Sequence, residues 1–216
     1  MNKLLKVVFP LLLAGVSAFP VLSGDLELTI VYDNNPYREG LETRGGFSCL
    51  VVGLECTLLF DVVVYMPKSF PQGVGRDVES AGAREVKVDT PVEICQNAYS
   101  TGELGSWIKE QSLVIRTAKG LVVITGCAHP GVVEIVQRAK QMLSTDVYLV
   151  LGGFHLCWMS NHQVRTIIKG MQRQEVEKIA PCHCSGDLAR EQFEKYYGKD
   201  FILTGVGTRI TIADAF

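Results

Sequence analysis

Histidine is scarce in this chain of 216 residues: there are four, His129, His155, His162 and His183, and none precedes position 129. A site built on imidazole must therefore draw on the C-terminal half, to which the N-terminal half can add only carboxylates, thiols and backbone groups. Charge of one sign is lacking as well. With 21 basic and 23 acidic residues interspersed and a net charge of −2, the chain has no basic field for nucleic acid or an acidic membrane surface, so it is assigned no nucleic-acid role. No apolar run reaches the roughly 20 residues that a spanning helix needs, which excludes a stable membrane span. Internal repeats and low-complexity tracts are also missing. What remains is an ordinary globular composition, 47% hydrophobic and 20% charged, in a chain long enough for one sizeable core.

The N-terminus stands apart. Met1-Asn2-Lys3-Leu4-Leu5-Lys6 is short and basic, and Val7 to Phe19 is apolar except for Pro10, Gly15 and Ser17. This pattern reads as a secretory signal peptide over residues 1–24, with Val16-Ser17-Ala18 or Leu22-Ser23-Gly24 at the cleavage site. The alternative is an uncleaved first strand or helix. A signal peptide implies export to the periplasm or beyond, where cysteines tend to pair. There are seven cysteines, and an odd number leaves at least one unpaired in a monomer. They read mainly as small buried apolar residues. On a strand, Cys182 and Cys184 would share one face and His183 the other.

Residues 25–216 read as one domain. Leu26 to Tyr32, Phe47 to Gly53 and Cys56 to Asp61 have strand character, the last two joined by a hairpin at Leu54-Glu55. Residues 62–100 are poorly patterned, with strand candidates at Val62 to Tyr65 and Arg84 to Val88. Beyond Ser112 the signals sharpen. Leu113 to Thr117 and Leu121 to Thr125 flank a turn at Lys119-Gly120. Then come a helix from Val132 to Leu143, a strand from Val147 to Leu151, a helix from Asn161 to Arg173, a strand from Val176 to Cys182 and a helix from Asp187 to Tyr197. This alternation is the mark of an α/β fold.

Three of the four histidines fall where strands end. They occur in Gly126-Cys127-Ala128-His129-Pro130-Gly131, Gly152-Gly153-Phe154-His155-Leu156 and Pro181-Cys182-His183-Cys184-Ser185-Gly186. Neutral imidazole is the commonest protein ligand for zinc-like ions, and α/β folds place their sites at the carboxyl ends of strands. His129 and His183 are therefore candidate metal ligands. His155 is a candidate ligand or a group that touches the substrate. His162 reads as a solvated or capping residue at a helix start. Glu134, Glu175 and Asp187 read as surface charges, Asp61 as a satisfied strand-end carboxylate, and Gly205-Val206-Gly207 as a turn into the last strand.

These motifs, with Val31-Tyr32-Asp33-Asn34-Asn35 and Leu58-Leu59-Phe60-Asp61, resemble those of the metallo-β-lactamase-fold hydrolases. Within that family they are similar to the branch of dihydropterin-related phosphate synthases. The resemblance implies an αββα sandwich and metal-dependent hydrolysis of a phosphate or similar ester on a small molecule. The departure from the family is equally specific. After Phe-Asp the family reaches His-x-His-x-Asp-His, whereas here Asp61 runs straight into Val62-Val63-Val64-Tyr65-Met66-Pro67-Lys68-Ser69-Phe70-Pro71. The reading is an internal deletion at the 61/62 junction, an incomplete αββα sandwich and at most one zinc or manganese ion on His129, His155 and His183. Activity is expected to be weak or lost. The alternative is a non-catalytic exported module that binds a small molecule or phosphate. The sequence assigns no oligomeric state.

Overall fold

The computed structural model describes residues 12–14, 24–33, 35, 37, 47–53 and 63–216. Along the chain run β1 (Leu12–Ala14), β2 (Leu26–Tyr32), β3 (Ser48–Val52), β4 (Val63–Pro67), α1 (Gln72–Ser80), β5 (Arg84–Val88), β6 (Val92–Cys95), β7 (Ala98–Ser100) and β8 (Leu113–Thr117). They are followed by β9 (Gly120–Thr125), α2 (Val132–Leu143), β10 (Val147–Gly153), α3 (Asn161–Arg173), β11 (Lys178–Cys182), α4 (Asp187–Tyr197) and β12 (Arg209–Ile212). Three helices and the strands β2, β5 and β8 begin and end where the sequence predicts them. The 61/62 junction and the predicted strand from Cys56 to Asp61 lie outside the described residues, as does Asp61 itself.

The central sheet has six strands in the order β11-β10-β9-β8-β7-β6. Strands β9, β10 and β11 are parallel, so their carboxyl ends lie at one edge. The remaining pairs are antiparallel. Alternation along these strands sends side chains to both faces. Val114, Leu121, Val123, Val150 and Ile179 meet Val132, Ile135, Val164, Ile168, Met171 and Phe193 from the helices α2, α3 and α4. Ile115, Val122, Ile124, Leu149, Leu151 and Ala180 meet Leu26, Leu28, Ile30, Ile210 and Ile212 of a second sheet, ordered β12-β2-β3. In β10 the register slips between Val147 and Leu149, and the two residues therefore face opposite layers.

This is helix layer on sheet on sheet, a mixed α/β architecture. On the far side of the second sheet, Val31, Leu50 and Val52 are about half exposed, so among the described residues the outer helical layer of an αββα sandwich is missing. A third sheet, β1-β4-β5, has a small core of its own, with Val64 and Met66 against Val78 of α1. Its β1 lies inside the segment read as a signal peptide and pairs antiparallel with β4.

Two predictions need correction. Residues 62–100 hold a helix, α1, that the sequence hides because Gly73 and Gly75 have poor helix propensity. The second correction concerns Cys182-His183-Cys184. Strand β11 ends at Cys182, and residues His183–Ser185 form a 3-10 turn. His183 and Cys184 therefore do not alternate across a strand. Cys182 is buried between the sheets, while Cys184 joins His183 at the strand ends. Among the described residues, Cys49, Cys127, Cys157, Cys182 and Cys184 are free thiols and Cys95 is disulfide-bonded.

Candidate functional site

The loops that leave β9, β10 and β11 meet at one edge of the central sheet. Each carries a non-glycine residue in the left-handed region: Ala128 at φ 59°, His155 at φ 52° and His183 at φ 48°. Such conformations cost on the order of 1–3 kcal/mol each and persist where the surroundings impose them. Here the surroundings are identifiable. The buried carboxylate of Asp33, at the end of β2, accepts the backbone N–H of His183 at 2.9 Å and that of Asn35 at 3.4 Å. The Ser185 hydroxyl accepts the Phe154 N–H at 3.2 Å and donates to the Cys182 carbonyl at 2.7 Å. Thr125 donates its hydroxyl to the Gly153 carbonyl at 2.9 Å.

Close approach of these loops also requires glycine. A Cβ on Gly153 would strike the Gly126 carbonyl and come within 2.9 Å of Cys184 Sγ and 3.0 Å of the His183 ring.

The side chains form two overlapping groups. In the first, Cys127 Sγ lies 3.1 Å from His183 Nε2, and Cys184 Sγ completes a set whose donor atoms all fall within 4.8 Å of one another. The second joins Cys127 to His129 and Glu110 within the same limit. Glu110 is buried, and its carboxylate accepts both the ring Nδ1–H and, at 3.3 Å, the backbone N–H of His129. Because a carboxylate only accepts, the His129 proton sits on Nδ1 and its Nε2 is left as the ring's lone-pair atom in the neutral form. His155 lies against His129, ring centroids 4.2 Å apart and tilted by 49°.

Environment sets the protonation of these groups. The His155 imidazole is held below its ordinary value, first by burial and then by His129, with Glu110 opposing. It is therefore neutral at pH 7. Of the two thiols, Cys184 ionises first. The hydrogen bond from Cys127 holds it below its ordinary value, and the His155 N–H, which donates to its sulfur at 3.3 Å, adds to this against the opposing effect of burial. Cys127 is pushed up by the same partnership and by burial.

The predicted site residues thus fall into place unevenly. His129 and His155 come together, while His183 joins them through the shared thiol of Cys127. His162 is exposed in the first turn of α3, where Ser160 rather than His162 supplies the cap. Sequence reasoning missed Glu110 and Asp33 as site residues, and read Cys127 and Cys184 as apolar packing. The thiols had a signal, since each lies within two residues of a candidate histidine. Glu110 had none.

Beside His129 and His155 opens a cleft of about 460 Å³, walled also by Trp107, Ile108, Pro130 and Glu134. Trp107 is 93% exposed. The arrangement offers nitrogen and sulfur donors for a soft or borderline divalent ion next to an imidazole pair that faces a small-molecule cleft.

No family model matches the chain. A 7,8-dihydropterin-6-methyl-4-(beta-D-ribofuranosyl)-aminobenzene-5'-phosphate synthase of Methanocaldococcus jannaschii is 29% identical over 152 aligned residues, covering 58% of this chain and 52% of that protein. An uncharacterised protein of the same organism is 34% identical over 95 residues, 44% of this chain and 35% of its own length. The chain thus spans about half or less of the curated relatives it matches. A solved metal-dependent hydrolase of the β-lactamase superfamily superposes with a TM-score of 0.67 at 20% identity, over 88% of this chain and 100% of the other. The chain has the metallo-β-lactamase fold, and the branch it resembles in sequence is that of the dihydropterin-related synthase.

Proposed function

We propose that this chain is a metal-dependent hydrolase of the metallo-β-lactamase fold, weakly active on a small phosphorylated ester, with one divalent ion at the edge where β9, β10 and β11 end. The observation that carries this reading is the sharing of Cys127 between two donor groups, one with His183 and Cys184 and one with His129 and Glu110. The donor set fits a zinc-like ion, for which thiolate and imidazole are the usual ligands. When bound, such an ion supplies Lewis acidity, lowering the pKa of water and offsetting charge that develops on a phosphoryl oxygen.

The chain's own residues do the rest. Glu110 fixes the tautomer and orientation of His129 by accepting its Nδ1–H. His155, neutral at pH 7, is available to accept a proton or to donate a hydrogen bond to a substrate in the cleft beside it. The cleft lies within the size range of small-molecule sites. Low activity is proposed because hydrolysis across two ions needs more donors than the described residues gather here. Export through residues 1–24 is part of the proposal, supported by the basic start and apolar run of the sequence and by the disulfide at Cys95.

The test is hydrolysis of an aryl phosphate and an aryl phosphodiester by the full chain, loaded with zinc or manganese and then stripped by chelator. Slow turnover that disappears on stripping and returns with metal is the expected result. Metal binding with no turnover on either ester would favour a binding module over an enzyme.

A further inference from the structure

We propose that Cys127, Cys184 and His183 hold a single zinc ion through two sulfurs and one nitrogen, leaving Glu110, His129 and His155 unligated as the wall of the cleft. The proposal deepens the metal-dependent reading above and rests on it. Zinc takes sulfur at about 2.3 Å and imidazole nitrogen at about 2.0–2.1 Å in a tetrahedral set, and catalytic sites keep three protein ligands and one open position. Donors around such an ion sit three to four ångströms from one another. Cys127 Sγ and His183 Nε2 are already 3.1 Å apart, and all three donor atoms lie within 4.8 Å.

The backbone is built for this grouping. An extended chain through residues 182–184 would turn His183 and Cys184 to opposite faces, but the left-handed conformation of His183, anchored on Asp33 by its N–H, brings both donors to the same point. Cys184 Sγ already accepts the backbone N–H of His155 at 3.3 Å, the kind of outer contact that orients metal-bound thiolates. His129, by contrast, groups with Glu110 and Cys127 and not with His183 and Cys184, and its ring lies against His155 on the cleft side. Two thiolates and an imidazole are soft donors, which favour zinc over manganese.

Cobalt(II) titrated into the reduced full chain under anaerobic conditions tests this directly, because cobalt replaces zinc and reports sulfur ligation through an intense near-ultraviolet charge-transfer band. One equivalent with that band is expected, displaced by zinc and not by manganese. Cys184→Ser should halve the band, and together with His183→Gln should weaken binding at least about tenfold, since losing even an outer-shell partner costs that much. His129→Ala and Cys49→Ala should leave band and stoichiometry unchanged. Circular dichroism on each variant separates ligand loss from unfolding.

Cobalt spectra without charge transfer, a band untouched by Cys184→Ser, or one abolished by His129→Ala in a folded protein would each overturn the proposal. So would a Cys127–Cys184 disulfide that keeps metal out of the unreduced protein and forms again in its presence. A sulfur-ligated ion in a protein that turns over neither ester would leave this site standing and refute the hydrolase reading instead.

Discussion

Replacing Asp33 with alanine should damage the site through His183, which lies 150 positions away in sequence. The Asp33 carboxylate is fully buried and takes the His183 N–H at 2.9 Å, the contact that pins a left-handed turn between two cysteines. A hydrogen bond to a charged group contributes about 1.5–3 kcal/mol, and a buried donor left without its acceptor costs about 1–3 kcal/mol. The two overlap, so a loss of about 2–4 kcal/mol is expected. In a domain of this size each kcal/mol moves the melting point by about 2–4 °C, giving a fall of about 5–15 °C. Asp33→Asn keeps an oxygen acceptor and should lose less than half of that. The functional consequence is sharper. With His183 no longer positioned, cobalt affinity should fall about 10–100-fold, the cost typical of removing a partner that orients a ligand. Thermal melts and cobalt titrations of the two variants beside wild type are the assay. If Asp33→Ala melts within about a degree of wild type and binds cobalt equally well, then His183 is held by something else.

Further outcomes follow from the same contacts. Phe193 of α4 is fully buried, edge-on to Phe154 at 5.6 Å. Phe193→Ala should cost about 3–5 kcal/mol in urea or thermal unfolding. Gly153→Ala should shift the Cys184 and His183 side chains that its Cβ would meet, lowering cobalt affinity more than it lowers the melting point. For His155 the sign follows from its depressed value. Unfolding releases the ring to its ordinary pKa near 6.5, so the unfolded chain binds the extra proton first. Metal-free protein should therefore lose stability as pH falls below that value and stop losing it below the folded-state pKa. His155→Gln should flatten that part of a melting-temperature profile against pH, and an unchanged profile would assign the slope to another group.

The local pattern of residues was enough to locate most elements of the C-terminal half. The apolar spacing of Val132, Ile135, Val136 and Ala139 and the alternation of Leu113 to Thr117 are properties of adjacent residues, and they survive in the folded chain as α2 and β8. The same pattern put Cys127 and His129, His155, and His183 and Cys184 at the ends of strands that alternate with helices, which made a shared edge foreseeable. Local spacing also failed in identifiable ways. Two glycines concealed α1, and reading Cys182-His183-Cys184 as extended, two residues past the end of β11, turned Cys184 away from His183. Only the tertiary structure decided that Glu110, from a loop before β8, fixes the tautomer of His129, and that Asp33, from the end of β2, anchors His183. The physical reason is that periodicity reports which face of an element is buried. Which carboxylate meets which N–H depends on the register of parallel strands and on sheet packing, and these bring together residues far apart in the chain.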